Sequence, residues 1–425
     1  MKSLFDIDNW QEIFAAIKKN KIRSLLTAFG VFWGILMLIV MAGSGKGLEN
    51  GTMEGYKNFA KNSAFIWAQS TSIPYAGFDR GREWEITNED LKNISSQMSE
   101  VKLLSPRLEP GYLNNINNVI YEDKKGSFTI VGDHHNYNKI EPMKLLEGRF
   151  LNKSDIDEKR NVCVIGQRVK ETFFNDEEIP IGKMLKISGI YFKIIGVLKP
   201  GVDDSDGAKK KTIHIPISTI QAMFNYGDRV DYFGVVAKKN IKISEIENKL
   251  IRILKMNHKI SPKDEQAIGH INLEKMFTKI QKLFQGVNLL TWIVGMGTLF
   301  AGVLVITNIM LLVVKERTKE IGIKRALGAT PVQIQSQIIC ESVFLTTFSG
   351  YAGLVLGGVV LQIMNFIIKE INAGGTGEVF FKNPEISLQI ALSSLAVLVI
   401  AGAVAGILPS RNAIKIKPID AIRDE

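Results

Sequence analysis

Four stretches of this chain contain no Asp, Glu, Lys or Arg: Ser24 to Gly45 (22 residues), Leu283 to Val314 (32), Ser342 to Ile368 (27) and Ile386 to Ser410 (25). A bilayer core about 30 Å thick needs roughly 20 residues of helix. A charge at the helix centre costs about 2.5–3.5 kcal/mol, so length without charge marks a span. The expected fold class is an α-helical membrane protein with four transmembrane helices, at 24–45, 283–314, 342–368 and 386–410. A large mixed α/β extracytoplasmic domain, 46–282, is inserted between helices 1 and 2. A composition of 46% hydrophobic and 23% charged residues excludes a disordered tail, and the excess of 53 Lys+Arg over 43 Asp+Glu is too dispersed to indicate nucleic acid.

Basic residues flanking the spans set the orientation. Lys18, Lys19, Lys21 and Arg23 precede the first span. Lys315, Arg317, Lys319, Lys324 and Arg325 lie in the loop 315–341, and Arg411, Lys415, Lys417 and Arg423 follow the fourth span. The loop 369–385 has only Lys369 and Lys382 against Glu370, Glu378 and Glu385. Both termini are therefore expected in the cytoplasm of a multi-pass inner-membrane protein. Trp10, Ile13, Phe14, Ile17 and Lys21 follow helical spacing, so 1–23 reads as an amphipathic helix on the inner surface rather than a cleaved signal peptide. The second charge-free stretch is too long for one crossing, and its start, continuing back through Phe284, Ile280 and Phe277, reads as a stalk. Cys163 and Cys340 fall on opposite sides of the bilayer in this topology, which excludes an intrachain disulfide.

The inserted segment alternates between strand and helix patterns. Ser127–Val131, Val162–Ile165, Thr212–Pro216 and Asp231–Ala237 read as strands. Met184–Gly189 and Tyr191–Leu198 read as a hairpin turning at Ser-Gly. A helix is expected from Asn88, and another over Ser244–Met256, capped by Ser244 with Ile246, Leu250, Ile251 and Leu254 on one face. An outer lobe is expected at about 125–225, with a solvated loop at 201–211. Asp133-His134-His135 is the one His/acid cluster, but adjacent strand residues point to opposite faces, so no metal site is expected. Asp203, Asp204 and Asp206 lack calcium-loop spacing. Gly43-Ser-Gly-Lys-Gly47 lacks the upstream glycine and the Ser/Thr of a phosphate loop, and reads as a flexible exit from the membrane. No nucleophile–base or metal pattern appears, so the chain is expected to be non-catalytic with no cofactor bound directly.

Between spans two and three lies Lys315-Glu-Arg-Thr-Lys-Glu-Ile-Gly-Ile-Lys-Arg-Ala-Leu-Gly-Ala-Thr330, then Pro331. This predicts a short basic helix, Glu316 to Leu327, stopped by Gly328, and a second helix with Thr330 as cap and Pro331 first. Such an elbow would present Glu316, Arg317, Lys319, Glu320, Lys324 and Arg325 to a soluble protein. Gly30/Gly34, Gly353/Gly357 and Gly402/Gly406 are spaced to let membrane helices approach closely.

The Glu316–Ala329 run resembles the hallmark of FtsX-like ABC transporter permeases. Leu26–Ile35 resembles their first span, and Pro409–Arg423 their ending. The inserted segment, with Leu146-Glu-Gly-Arg149, Val164-Ile-Gly166, Pro180-Ile-Gly-Lys183 and Ile195-Gly-Val197, is similar to the MacB-type periplasmic core domain of the macrolide-exporter and lipoprotein-release superfamily. The resemblance implies that the loop after span two is a coupling helix docking on an ATPase. Glu316, Arg317, Glu320, Ile321, Gly322, Arg325, Ala326, Leu327 and Gly328 match that motif. With 23 residues before the first span and no Walker A motif, ATP would bind a separate cytoplasmic ABC ATPase subunit. The resemblance also implies a homodimer, or a heterodimer with a similar permease, surrounded by membrane lipid, with a periplasmic adaptor and an outer-membrane channel as further partners. The implied function is efflux of an antibiotic-like compound, peptide or lipid-linked cargo. Two alternatives stay open: a signal transducer activating a cell-wall hydrolase, and a lipoprotein-release permease.

Overall fold

The computed structural model describes residues 21–54, 59–110, 118–175, 177–199, 209–373, 381–385 and 388–416. The amphipathic helix expected before residue 21, the acidic loop containing Asp203, Asp204 and Asp206, and the tail from 417 lie outside the described residues. In chain order the elements begin α1 (Lys21–Glu54), β1 (Ser63–Ala68), β2 (Ile86–Thr87), α2 (Asn88–Gln97), β3 (Val101–Leu108), β4 (Asn118–Tyr121), β5 (Lys124–Ser127), β6 (Thr129–Asp133), α3 (Tyr137–Ile140) and β7 (Leu145–Gly148). They continue α4 (Lys153–Asp157), β8 (Val162–Ile165), α5 (Gln167–Phe173), β9 (Met184–Ile187), β10 (Ile190–Leu198), β11 (Thr212–Pro216), α6 (Ile217–Met223), β12 (Arg229–Val230), β13 (Tyr232–Ala237) and α7 (Ile243–Asn257). The last are β14 (Ile268–Asn272), α8 (Leu273–Glu316), α9 (Thr318–Ala326), α10 (Pro331–Ala373) and α11 (Leu388–Ile414). Two compact units result: 1–53 with 282–425, and 54–281.

Among the described residues four helices are long and apolar enough to cross a membrane, α1, α8, α10 and α11. All four overrun the charge-free stretches, α11 at its C-terminal end, where it includes Arg411. In particular α1 continues to Glu54, so Gly43–Gly47 is helical rather than a flexible exit, and Lys46 pairs with Glu49 one turn on (2.8 Å). The stretch read as stalk plus span is one unbroken helix of 44 residues. Glycines lie where these helices meet. A Cβ on Gly30 would sit 3.6 Å from Gly302 Cα, and one on Gly34 3.5 Å from Leu299 N, where α1 crosses α8. On Gly353 it would fall 2.5 Å from Phe32 O, and on Gly357 2.8 Å from Ile39, where α10 meets α1. On Gly402 and Gly406 it would lie 2.9 Å from Val343 Cα and 3.0 Å from Ile339 Cα, where α11 meets α10. Contact this close replaces the hydrophobic drive that lipid does not supply. Leu289, Phe300, Phe348, Phe366 and Ile400 point outward, apolar and exposed, as a lipid-facing surface requires.

In the second unit one sheet runs β14-β1-β13-β3-β6-β11-β8-β10-β9-β4-β5, with β7 also on β10. The first four strands pair antiparallel throughout. Beyond them β6 and β11, and β8 and β10, pair in parallel. These two sections meet at β3 and β6, in register at just Arg107↔Asp133 and Leu108↔Gly132. Ile66, Ile94, Phe233 and Leu250 fill the core on one side of the junction, and Phe173, Phe192, Ile194 and Ile215 on the other.

Several local expectations match. Ser188 and Gly189 form the β9–β10 turn with φ of 45° and 94°, the left-handed pair that a two-residue hairpin demands. Thr87 and Asp90 complete a capping box at the start of α2. Two expectations need correction. The strand expected over 127–131 is broken at Phe128, which turns into the core between β5 and β6. Ser244 does not cap α7, which starts at Ile243: Asn62 Oδ1 accepts from Ile243 N (2.8 Å), and Ser244 Oγ instead donates to Glu274 (2.5 Å). Ile246, Leu250 and Leu254 lie buried on the inner face of α7 as expected, joined by Ile253, with Ile251 half-buried against the same core. Buried Glu247 of α7 accepts from Asn272 (2.9 Å) and Lys275 (2.5 Å), so the first turn of α8 is clamped to α7.

Candidate coupling elbow

The elbow is built by local rules. Helix α8 ends at Glu316, Arg317 interrupts the helix, and α9 runs Thr318–Ala326. Gly328 then takes φ +101°, a conformation costly for any side chain, and terminates α9. Thr330 N donates to Gln333 Oε1 (2.8 Å) and Gln333 N to Thr330 Oγ1 (3.4 Å), a reciprocal cap that starts α10 at Pro331.

The structure sorts the nine motif residues between two faces. Gly322 is buried and Ile321 half-buried. Arg317 and Arg325, expected to face outward, turn into the unit instead. Arg317 Nη1 lies 3.3 Å from Glu341 Oε1 of α10, a carboxylate that is itself buried, and Arg317 Nε lies 3.8 Å from Glu320. Arg325 Nη1 donates to the carbonyls of Ile414 (2.7 Å) and Ile416 (2.5 Å) at the end of α11. The physical cause is the same for both: each guanidinium finds acceptors on a neighbouring helix that water would otherwise have to supply. Glu316, Glu320, Ala326, Leu327 and Gly328 lie on the exposed face. Leu327 is 83% exposed and Val332 71%, with Ile323 half-exposed beside them, so the tip of the elbow is an apolar knob among charges.

The inserted domain offers a second cluster that no sequence spacing announced. Asp133 takes Arg107 Nε (2.6 Å) and Nη2 (3.1 Å) on one side and His214 Nδ1 (2.6 Å) on the other. Arg107 also donates to the Tyr232 hydroxyl (3.1 Å), which donates on to Glu109 (2.9 Å), and its guanidinium lies over the Tyr137 ring. Burial pushes the Asp133 carboxyl up, but the Arg107 charge and the His214 hydrogen bond outweigh it and hold the pKa at about 2. Burial raises the Tyr232 hydroxyl to about 12. His134 and His135 do not join this network. Their ring centroids lie 4.1 Å apart with the planes tilted at 46°, and burial, helped by the neighbouring His135, lowers His134 to about 4. Among the described residues no group of three or more His, Cys, Asp or Glu is placed to hold a metal ion.

Residues 24–253 match the MacB-like periplasmic core domain, and residues 292–418 match the FtsX-like permease C-terminal domain. The chain is 25% identical over 425 residues to the macrolide export ATP-binding/permease protein MacB of Bdellovibrio bacteriovorus, covering 99% of this chain and 62% of that protein. It is 27% identical over 425 residues to the pyoverdine export ATP-binding/permease protein PvdT of Pseudomonas putida, covering 99% of this chain and 60% of that one. It thus spans about three fifths of the length of these relatives. The periplasmic region of MacB from Actinobacillus actinomycetemcomitans aligns with 54% of this chain and 97% of its own, at 19% identity and a TM-score of 0.42.

Proposed function

The chain belongs to the MacB-like, FtsX-type family of ABC transporter permeases, and from that premise we propose that it is the membrane subunit of an ATP-driven exporter. In this reading a separate ATPase chain binds and hydrolyses ATP. The elbow receives the motion of that chain, and the membrane helices pass it on. Two copies of the permease, or this chain and a similar one, work with two ATPase chains. Both termini and the elbow face the cytoplasm of the inner membrane, and residues 54–281 face the periplasm. The relatives named for macrolide and pyoverdine export support efflux as the task, with an antibiotic-like compound, a peptide or a lipid-linked molecule as the cargo, handed to an adaptor and an outer-membrane channel.

The observation that carries the reading is the apolar knob of Leu327, Ile323 and Val332, displayed on an elbow whose arginines brace it from behind. A large apolar side chain at the centre of a docking patch contributes most of its affinity. Leu327→Glu should therefore reduce co-purification of the ATPase with tagged permease at least tenfold (about 1.4 kcal/mol or more) while leaving expression intact. Undiminished co-purification would remove the elbow from the ATPase contact. Sidedness is checked separately with a membrane-impermeant thiol reagent. A cysteine at Tyr75 should react in spheroplasts, and one at Lys319 should react after permeabilisation; reaction of both from the same side would overturn the topology.

A further inference from the structure

We infer that Arg325 is a positioning residue that staples the elbow to the end of the fourth apolar helix, so that α9 and α11 move as one piece. This inference rests on the coupling role proposed above for the elbow. The motif read Arg325 as part of a docking face. Its side chain instead crosses to residues 89 and 91 positions further along the chain and places one Nη1 between two backbone carbonyls.

The acceptors explain the strength of this contact. An α-helix ends with carbonyls that have no intrahelical partner and with a partial negative charge. Helix α11 ends at Ile414, and beyond it the chain tightens, with Lys415 N bonded to Asn412 O (3.1 Å) and Ile416 N to Ala413 O (3.4 Å). Among the described residues no main-chain N–H reaches the carbonyls of Ile414 and Ile416, which take Arg325 instead. A guanidinium supplies a fixed positive charge and charge-assisted hydrogen bonds there, a cap brought in from another element. Arg317 performs the matching task on the other side, through Glu341 of α10.

The elbow is therefore fastened by one arginine to α10 and by the other to α11, while its exposed tip carries the apolar knob. A push on Leu327 cannot rotate α9 without displacing the end of α11 or breaking the Arg325 bonds. Helix α11 packs closely on α10 through Gly402 and Gly406, so the displacement enters the bundle by two routes rather than one.

The test uses full-length permease with its ATPase, spin-labelled at Lys319 and Asn412, both exposed. Their separation is measured by pulsed EPR without nucleotide and with a non-hydrolysable ATP analogue. The wild-type background should show one narrow distance distribution that nucleotide leaves unchanged. Arg325→Met should broaden it both without and with nucleotide, with ATPase co-purification retained, and Arg325→Lys should restore much of the narrow distribution. Unchanged distances in Arg325→Met would overturn the staple. Loss of co-purification in Arg325→Met to the extent seen for Leu327→Glu would also overturn it, making Arg325 a docking contact and leaving the coupling role standing. If Arg325→Met proves too unstable to purify, Arg325→Gln, which keeps donors but not charge, takes its place with the same readout. Should the elbow fail to contact an ATPase at all, the label pair in permease alone still decides the staple, because Arg325→Met must broaden it there too.

Discussion

Replacing Arg107 with methionine should loosen the junction between the two sheet sections by about 3–5 kcal/mol, the usual cost of stranding a buried charge. Asp133 is fully buried and loses both guanidinium bonds in this variant, keeping only His214. The Tyr232 hydroxyl loses its donor as well. Hydrogen exchange on the full-length protein should report the loss as protection falling by roughly two to four orders of magnitude at β3 and β6, since about 1.4 kcal/mol is tenfold. Protection in α10 and α11 should be unaffected. Unchanged exchange at β3 and β6 would show that the network does not hold the junction.

The pH dependence has a definite sign. The Asp133 pKa is lowered from its ordinary value of 3.8 to about 2 in the folded protein. Its contribution to stability is therefore fully present above pH 3.8 and is lost as pH falls through about 2. Asp133 itself should add no pH dependence between about pH 5 and 8, since it is ionised there both folded and unfolded. In Arg107→Met the burial that pushes the carboxyl up is no longer opposed by a fixed cation, so loosening should begin at a higher pH. Acid loosening at the same pH in both proteins would contradict this assignment.

Gly353→Val should be the most damaging small substitution in the membrane unit. The new Cβ would lie 2.5 Å from Phe32 O and 3.3 Å from Leu36 N, both backbone atoms that no rotamer change can clear. Helices α10 and α1 must then separate, at a cost at or above the upper end of the 1–3 kcal/mol typical of overpacking. Gly297→Val is the control, since nothing lies within 4 Å of its Cβ position. In detergent the Gly353 variant should lose several degrees of apparent melting temperature relative to the Gly297 variant. Equal melting of the two would mean that the approach at Gly353 contributes no stability.

The parts legible in the sequence are those whose causes are local. Absence of charge over 22 or more residues marks an apolar helix wherever it occurs. Gly328, Thr330 and Pro331 stop one helix and start the next through bonds within a few residues, and the elbow is where that punctuation placed it. The role of Ser244 is not legible locally, because the groups that decide it, Asn62 and Glu274, come from elsewhere in the chain. The Arg107, Asp133 and His214 network was invisible for the same reason, its members being 26 and 81 residues apart. Arg325 is harder still to foresee, because its acceptors are main-chain carbonyls and no residue type at 414 or 416 advertises them.

The narrow pairing of β3 with β6 also bears on how such a domain can diversify. The chain leaves the antiparallel section after Leu108 and re-enters it at Tyr232, and Tyr232 pairs directly with Arg107. Exit and return are thus neighbours on adjoining strands. An excursion of more than a hundred residues returns to the strand it left, fastened to the frame by the two β3–β6 pairs, by β12 on β2 and by Ala60 N on Ile140 O, so its far strands could change in length while these few fastenings stay.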